Sequence, residues 1–186
     1  MAYRIQKQFV PVDTNQGDPD WAGATEFKDV RTRTTTASRE AVWNCIERIG
    51  GSNGWYGSGW LWYLRGLIDR AFGGVGLRRG RRDPLKLRVG DSLDFWRVES
   101  LERGDHLRLY AEMILPGKAW LEFRIRAIEG KEAQGKIEIT QEAIFLPRGL
   151  GGTLYWYAVK PFHAFVFPTM LRNLVRSAKR KDYLSA

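Results

Sequence analysis

From Leu93 to Leu146 the apolar residues recur at about every second position, and the pattern is interrupted at ERGD, LPGK and EGKEAQG. A period of two marks strands with one face buried. Links this short, built of Gly, Pro and Asp, join antiparallel neighbours. The segment is therefore predicted to form a meander of four strands: 92–100, 106–113, 119–128 and 136–146. The apolar face would carry Leu107, Leu109, Ala111 and Met113, then Leu121, Phe123, Ile125 and Ala127, then Ile137, Ile139, Gln141, Ala143 and Phe145. The other face, with Glu112, Glu122 and Glu142 among residues of both charge signs, reads as solvated and able to form cross-strand ion pairs.

The rest of the chain fills in around this sheet. Residues 1–25 hold Pro11, Gly17, Pro19 and Gly23, which break any period and predict an irregular arm. Residues 27–35, FKDVRTRTT, are β-branched and predict a first strand. Ser38 is a good N-cap for a helix with Val42, Cys45, Ile46 and Ile49 on one face, stopped by Gly50–Gly51. A second helix is predicted from about Trp60 to Phe72. The last segment, from Gly151 to about Arg180, is expected to be helical and broken or kinked at Pro161 and Pro168. Its clean apolar face comes after Pro168, with Met170, Leu171, Leu174, Val175 and Ala178. The order of strand, two shorter helices, antiparallel meander and long helix predicts an α+β domain over residues 26–180, followed by a tail at 181–186.

Composition narrows the functional classes. At 186 residues the chain can bury one sizeable core without a staple. Its single cysteine, Cys45, forms no internal disulfide, which fits a reducing, cytoplasmic setting, and it reads as a packed apolar residue. The start, MAYRIQKQFV, lacks the apolar core of a signal peptide. The apolar stretch 150–171 contains Lys160, Pro161, His163 and Pro168, which argues against a transmembrane span. The formal charge of +9 raises nucleic acid as a partner, but the basic residues alternate with acids, as on a solvated face. Nucleic acid is therefore not the partner expected. With 8 Trp, 7 Tyr and 9 Phe, the chain holds more aromatic area than a core of this size requires. An apolar or aromatic small molecule is the expected ligand.

Four motifs carry a family resemblance: IGGSNGWYGSGWLWYLRGLIDRAFGGVGLRRGRRDP, GDSLDFWRVE, LRLYAEMILPGKAWLEF and FLPRGLGGTLYWY. Over about residues 19–180 the chain resembles an uncharacterised bacterial domain family, usually found C-terminal to an NAD(P)-binding, short-chain-dehydrogenase-like domain. That family is assigned to the START/SRPBCC superfamily, with the major birch-pollen allergen and the polyketide cyclases. The resemblance implies a helix-grip fold, in which a curved antiparallel sheet wraps around a long C-terminal helix and leaves a ligand cavity. It also implies a dehydrogenase-like partner, and it brings no agreed catalytic residues. No dinucleotide-binding turn is visible, because GGVGLRRG follows a predicted helix rather than a strand. No cofactor is expected.

The candidate site residues are the polar minority on apolar surfaces. In the first meander strand either Leu93, Phe95 and Arg97 point inward, or Asp94, Trp96 and Val98 do. In the second case Asp94 is an inward acid able to move a proton. His163, between Phe162 and Phe165 in sequence, is the other candidate acid or base, and His106 reads as exposed. The two histidines and one cysteine show no metal-ligand spacing. Trp96, Phe123, Gln141, Tyr155, Tyr157 and Phe162 are expected to line the cavity. Arg78, Arg79, Arg81 and Arg82 form the densest basic cluster, a candidate anion grip.

Three functions fit these residues. The first is binding of an apolar or aromatic molecule between sheet and helix. The second is a metal-independent cyclase, isomerase or lyase that uses Asp94 or His163. The third is an accessory domain that docks a dehydrogenase-like protein. Residues 149–168, with glycines before two prolines, are expected to form a movable cavity wall.

Overall fold

The computed structural model describes residues 7–9, 25–57, 81–129 and 135–185. The predicted helix at 60–72, and Arg78 and Arg79, lie outside them. The described strands are β1 (Lys7–Phe9), β2 (Thr25–Thr35), β3 (Ser92–Leu93), β4 (Trp96–Glu102), β5 (His106–Ala111), β6 (Gly117–Ala127) and β7 (Ile137–Pro147). They form one antiparallel sheet in the order β1-β2-β7-β6-β5-β4-β3. Two helices complete the described fold, α1 (Arg39–Glu47) and the long α2 (Gly149–Ser185). α2 packs on α1, β2 and β7, so the chain has the helix-grip layout.

The first predicted meander strand is a hairpin rather than one strand. Leu93 pairs with Trp96, and Asp94 and Phe95 form the turn between β3 and β4. Asp94 takes a positive φ of 58°, a conformation that Asp tolerates better than most residues. A tight turn brings all four residues of 93–96 inside, and Trp96 and Val98 then face the core from β4.

The inner faces of β4 to β7 meet both helices. Leu107, Leu109, Leu121, Phe123, Ile125 and Ile139 pack with Val42 and Ile46 of α1 and Met170, Leu171, Leu174 and Ala178 of α2. Burying one such side chain is worth roughly 1.5–3 kcal/mol. A second cluster lies near the start of α2, where Trp156 stacks on Phe27 at 5.3 Å and on Phe145 at 5.9 Å.

Both prolines of the last segment lie inside one continuous helix, where each removes a backbone donor without ending it. Gly152 has no room for a Cβ against Pro116 and Pro147, so this glycine serves close packing at the helix start rather than a hinge. At the far end, Asp182 of α2 accepts hydrogen bonds from the Ser38 backbone N–H (3.0 Å) and hydroxyl (2.6 Å), while Ser38 caps α1. Asp182 is held below the usual carboxylate range by these bonds.

The outer face departs from a purely solvated surface at one place. Glu122 is buried on it, with Arg108 at 2.8 Å, Arg124 at 3.2 Å and His106 at 3.4 Å. The long guanidinium side chains of neighbouring strands lie over the carboxylate and shield it. His106, expected at the surface, is buried with it and meets the Ser100 hydroxyl at 3.3 Å. Glu142 keeps the expected kind of cross-strand pair, with Lys28 at 3.3 Å.

Candidate functional site at the β2–α2 seam

β2 is where the inner wall stops being apolar. Phe27, Asp29, Arg31, Arg33 and Thr35 pair across from Phe145, Ala143, Gln141, Ile139 and Ile137, all buried residues of β7. That register puts the five on the face toward α2. Asp29 and Arg31 form a bidentate pair, Nε to Oδ1 at 2.6 Å and Nη2 to Oδ2 at 3.1 Å, almost wholly out of solvent. The sequence reading missed this row. Charged residues at both parities of KDVRTR hide which face is inner, and Phe27 alone signals it.

Among the described residues, three buried polar atoms without partners lie along this row. His163 reaches it from α2, edge-on to Trp156 at 5.1 Å and to Phe167 at 4.7 Å. Burial drives its pKa down from 6.5 to about 4, with Asp29 opposing that shift and Arg31 adding to it, so His163 is neutral at pH 7. Gln141, opposite Arg31, donates to the Met170 sulfur at 3.9 Å. The Nδ1 of His163, the Oε1 of Gln141 and the Nε of Arg33 are buried and find no hydrogen-bond partner. Buried polar groups are nearly always satisfied, so a cluster of such atoms on one wall calls for an explanation.

The row leads to an opening. A cavity of about 470 Å³ is lined by Thr32, Arg33, Thr34, Arg172, Val175, Arg176 and Lys179. The helix residues fall at i, i+3, i+4 and i+7 and so share one face. Residues of both parities of β2 line the cavity, and among the described residues β1 pairs only with Thr25–Phe27. Beyond that point the β2 edge carries no strand among the described residues.

The other predicted site residues lie elsewhere. Trp96 and Phe123 sit in the closed core, and Tyr155 is half-buried beside Phe145 at 5.6 Å. Tyr157 and Phe162 are exposed. None of the six expected lining residues lines the cavity described here. Asp94 accepts from the Gly51 backbone N–H at 3.0 Å and from Trp55 Nε1 at 2.7 Å. Its partners are not those of His163, so the two candidate acid–base groups are not brought together. Arg81 donates to the carbonyls of Glu47, Ile49 and Asp83 and thereby caps the open end of α1. Arg82 forms a two-bond pair with Asp91, which it holds below the usual carboxylate range.

A family model for proteins of unknown function, DUF2867, matches residues 21–170, most of the chain. The chain belongs to the DUF2867 family. No curated protein matches its sequence. Among solved structures, this DUF2867 domain is similar to CalU16 from Micromonospora echinospora, at 12% identity over 97% of this chain and 96% of that one, with a TM-score of 0.43. It is also similar to MLL2253 from Mesorhizobium loti, at 13% identity over 83% and 98%, with a TM-score of 0.46. Likenesses at this level carry no argument about what the DUF2867 domain binds. Among its described residues, no helix is long and apolar enough to cross a membrane.

Proposed function

We propose that this domain is a binding module that holds a small molecule between its sheet and its C-terminal helix. The observation that carries this reading is the break in the inner wall, where polar β2 side chains lead to a cavity of about 470 Å³. That volume falls within the roughly 300–1,000 Å³ typical of ligand pockets. The helix-grip layout supports the reading, as does the family resemblance to the START/SRPBCC cavities. Asp94 and His163 engage separate partners, so a carrier or sensor is preferred here to a cyclase or lyase.

The test is native mass spectrometry on freshly purified protein, together with uptake of an environment-sensitive dye. Val175→Trp should fill the cavity. Bound mass or dye in wild type, lost in the folded Val175→Trp protein, supports the module. No uptake by wild type, or equal uptake by the variant, contradicts it.

A row on α2 favours docking to a protein such as a dehydrogenase-like domain as a second reading. Leu150, Leu154, Tyr157, Phe162 and Phe165 lie along one side of the helix, each at least half exposed. A monomer by light scattering, with no redox enzyme retained in a pull-down, would weigh against it.

A further inference from the structure

We infer that the β2–α2 cavity is an oxyanion site, and that its ligand is a small molecule carrying a phosphate or a comparable multiply charged oxyanion. This rests on the binding-module reading and names the ligand's chemistry. Four cationic side chains, Arg33, Arg172, Arg176 and Lys179, line one cavity, and no acid does. Among the described residues none of the four has a carboxylate within ion-pair distance. Several guanidinium groups elsewhere are committed: Arg31 to Asp29, Arg82 to Asp91, Arg103 to Glu47, Arg108 to Glu99 and Glu122. In this cavity four positive charges are gathered and left unanswered.

Burial makes the point sharper. The Arg33 Nε–H is shielded from solvent without an acceptor, and a buried donor next to three further cations is costly unless an anion completes it. Guanidinium groups match phosphate and carboxylate oxygens two bonds at a time. Thr32 and Thr34 add hydroxyl donors. The buried Val175 gives the cavity an apolar floor. A volume of about 470 Å³ leaves space for an organic body beside the charged group.

The experiment is a two-dimensional amide NMR titration of the full chain with inorganic pyrophosphate, at fixed ionic strength and with chloride as the control. Saturable shifts confined to 32–34 and 172–179 are expected. Arg33→Gln and Arg176→Gln should each weaken binding by about tenfold, as loss of a charge-assisted hydrogen bond does. Arg176 is exposed on a helix, so its variant folds even if Arg33→Gln does not. Arg82→Gln, outside the cavity, should bind as wild type does. Vesicles of phosphatidylcholine with and without phosphatidylglycerol separate the sources. Vesicle binding that pyrophosphate displaces and Arg176→Gln abolishes marks a lipid headgroup, and pyrophosphate binding without vesicle binding marks a free phosphorylated molecule. Either supports the oxyanion site. Unsaturable shifts spread over all basic residues, or full affinity in both cavity variants, overturns it. If pyrophosphate fails while Val175→Trp still abolishes dye uptake, only the ligand class falls. If neither probe binds, the module falls with it.

Discussion

β2 and β5 belong to the same sheet and share its curvature, yet their inner faces are built from opposite chemistry. β5 offers Leu107, Leu109 and Ala111, all buried in the common core. β2 offers Asp29, Arg31 and Arg33 to the same helix. Close packing around α2 needs only the first kind of strand, because apolar burial supplies the stability. A strand that places an ion pair and a lone guanidinium on the inside gives up part of that stability. In the proposed reading, the β4–β7 end supplies stability and the β2 end takes the ligand.

Substitutions at the two ends sharpen the division. Phe123→Ala, in the closed core, should lower unfolding free energy by about 3–5 kcal/mol in urea titrations and leave pyrophosphate binding by the remaining folded protein unchanged. A loss under about 1 kcal/mol would mean that the core end is not the dry half. At the other end Asp29→Ala breaks the part-buried pair with Arg31 and should cost about 3 kcal/mol, whereas Asp29→Leu with Arg31→Met should recover most of it. A double variant no better than the single one would remove the ion pair as the cause.

Acid titrates the contrast. The folded-state pKa of His163 is about 4, below its ordinary 6.5. Between these values the unfolded chain binds a proton that the folded chain refuses, so stability falls as pH drops through this window. The loss should be on the order of 2–3 kcal/mol from pH 7 to pH 4, read by chemical denaturation at each pH. His163→Phe should flatten that segment of the curve. An unchanged slope would mean that His163 is protonated in the folded protein, answered by Asp29. The smallest effect belongs to Arg81→Gln. Removing the cap on the α1 carbonyls should cost about 1–2 kcal/mol with no change in oxyanion affinity. A fall in affinity would move the anion site to the basic loop.

Much of the apolar half was legible, because Leu107–Leu109 and Leu121–Phe123–Ile125 alternate cleanly and the links between them are turn-forming. The β3–β4 turn was not, because Leu93, Phe95 and Trp96 are apolar and no glycine marks the reversal. Only Asp94, in its left-handed conformation, does so. The long helix through Pro161 and Pro168 ran against local expectation, since packing of the residues on either side overrides the two lost bonds. The candidate site was the least legible part. Which parity of β2 faces inward is fixed by its register with β7, and the cavity exists only where Arg172, Arg176 and Lys179, on the last helix of the chain, come opposite Arg33. Neither fact is local in sequence.

The claim that the polar end takes the ligand is tested most directly by anomalous scattering from crystals soaked in selenate, at a concentration that binds in solution. A single strong selenium peak between Arg33 and Arg176, absent in Arg33→Gln crystals, is the predicted result. Peaks confined to Arg81 and Arg82, or a β2–α2 cavity empty at saturating selenate, would contradict it.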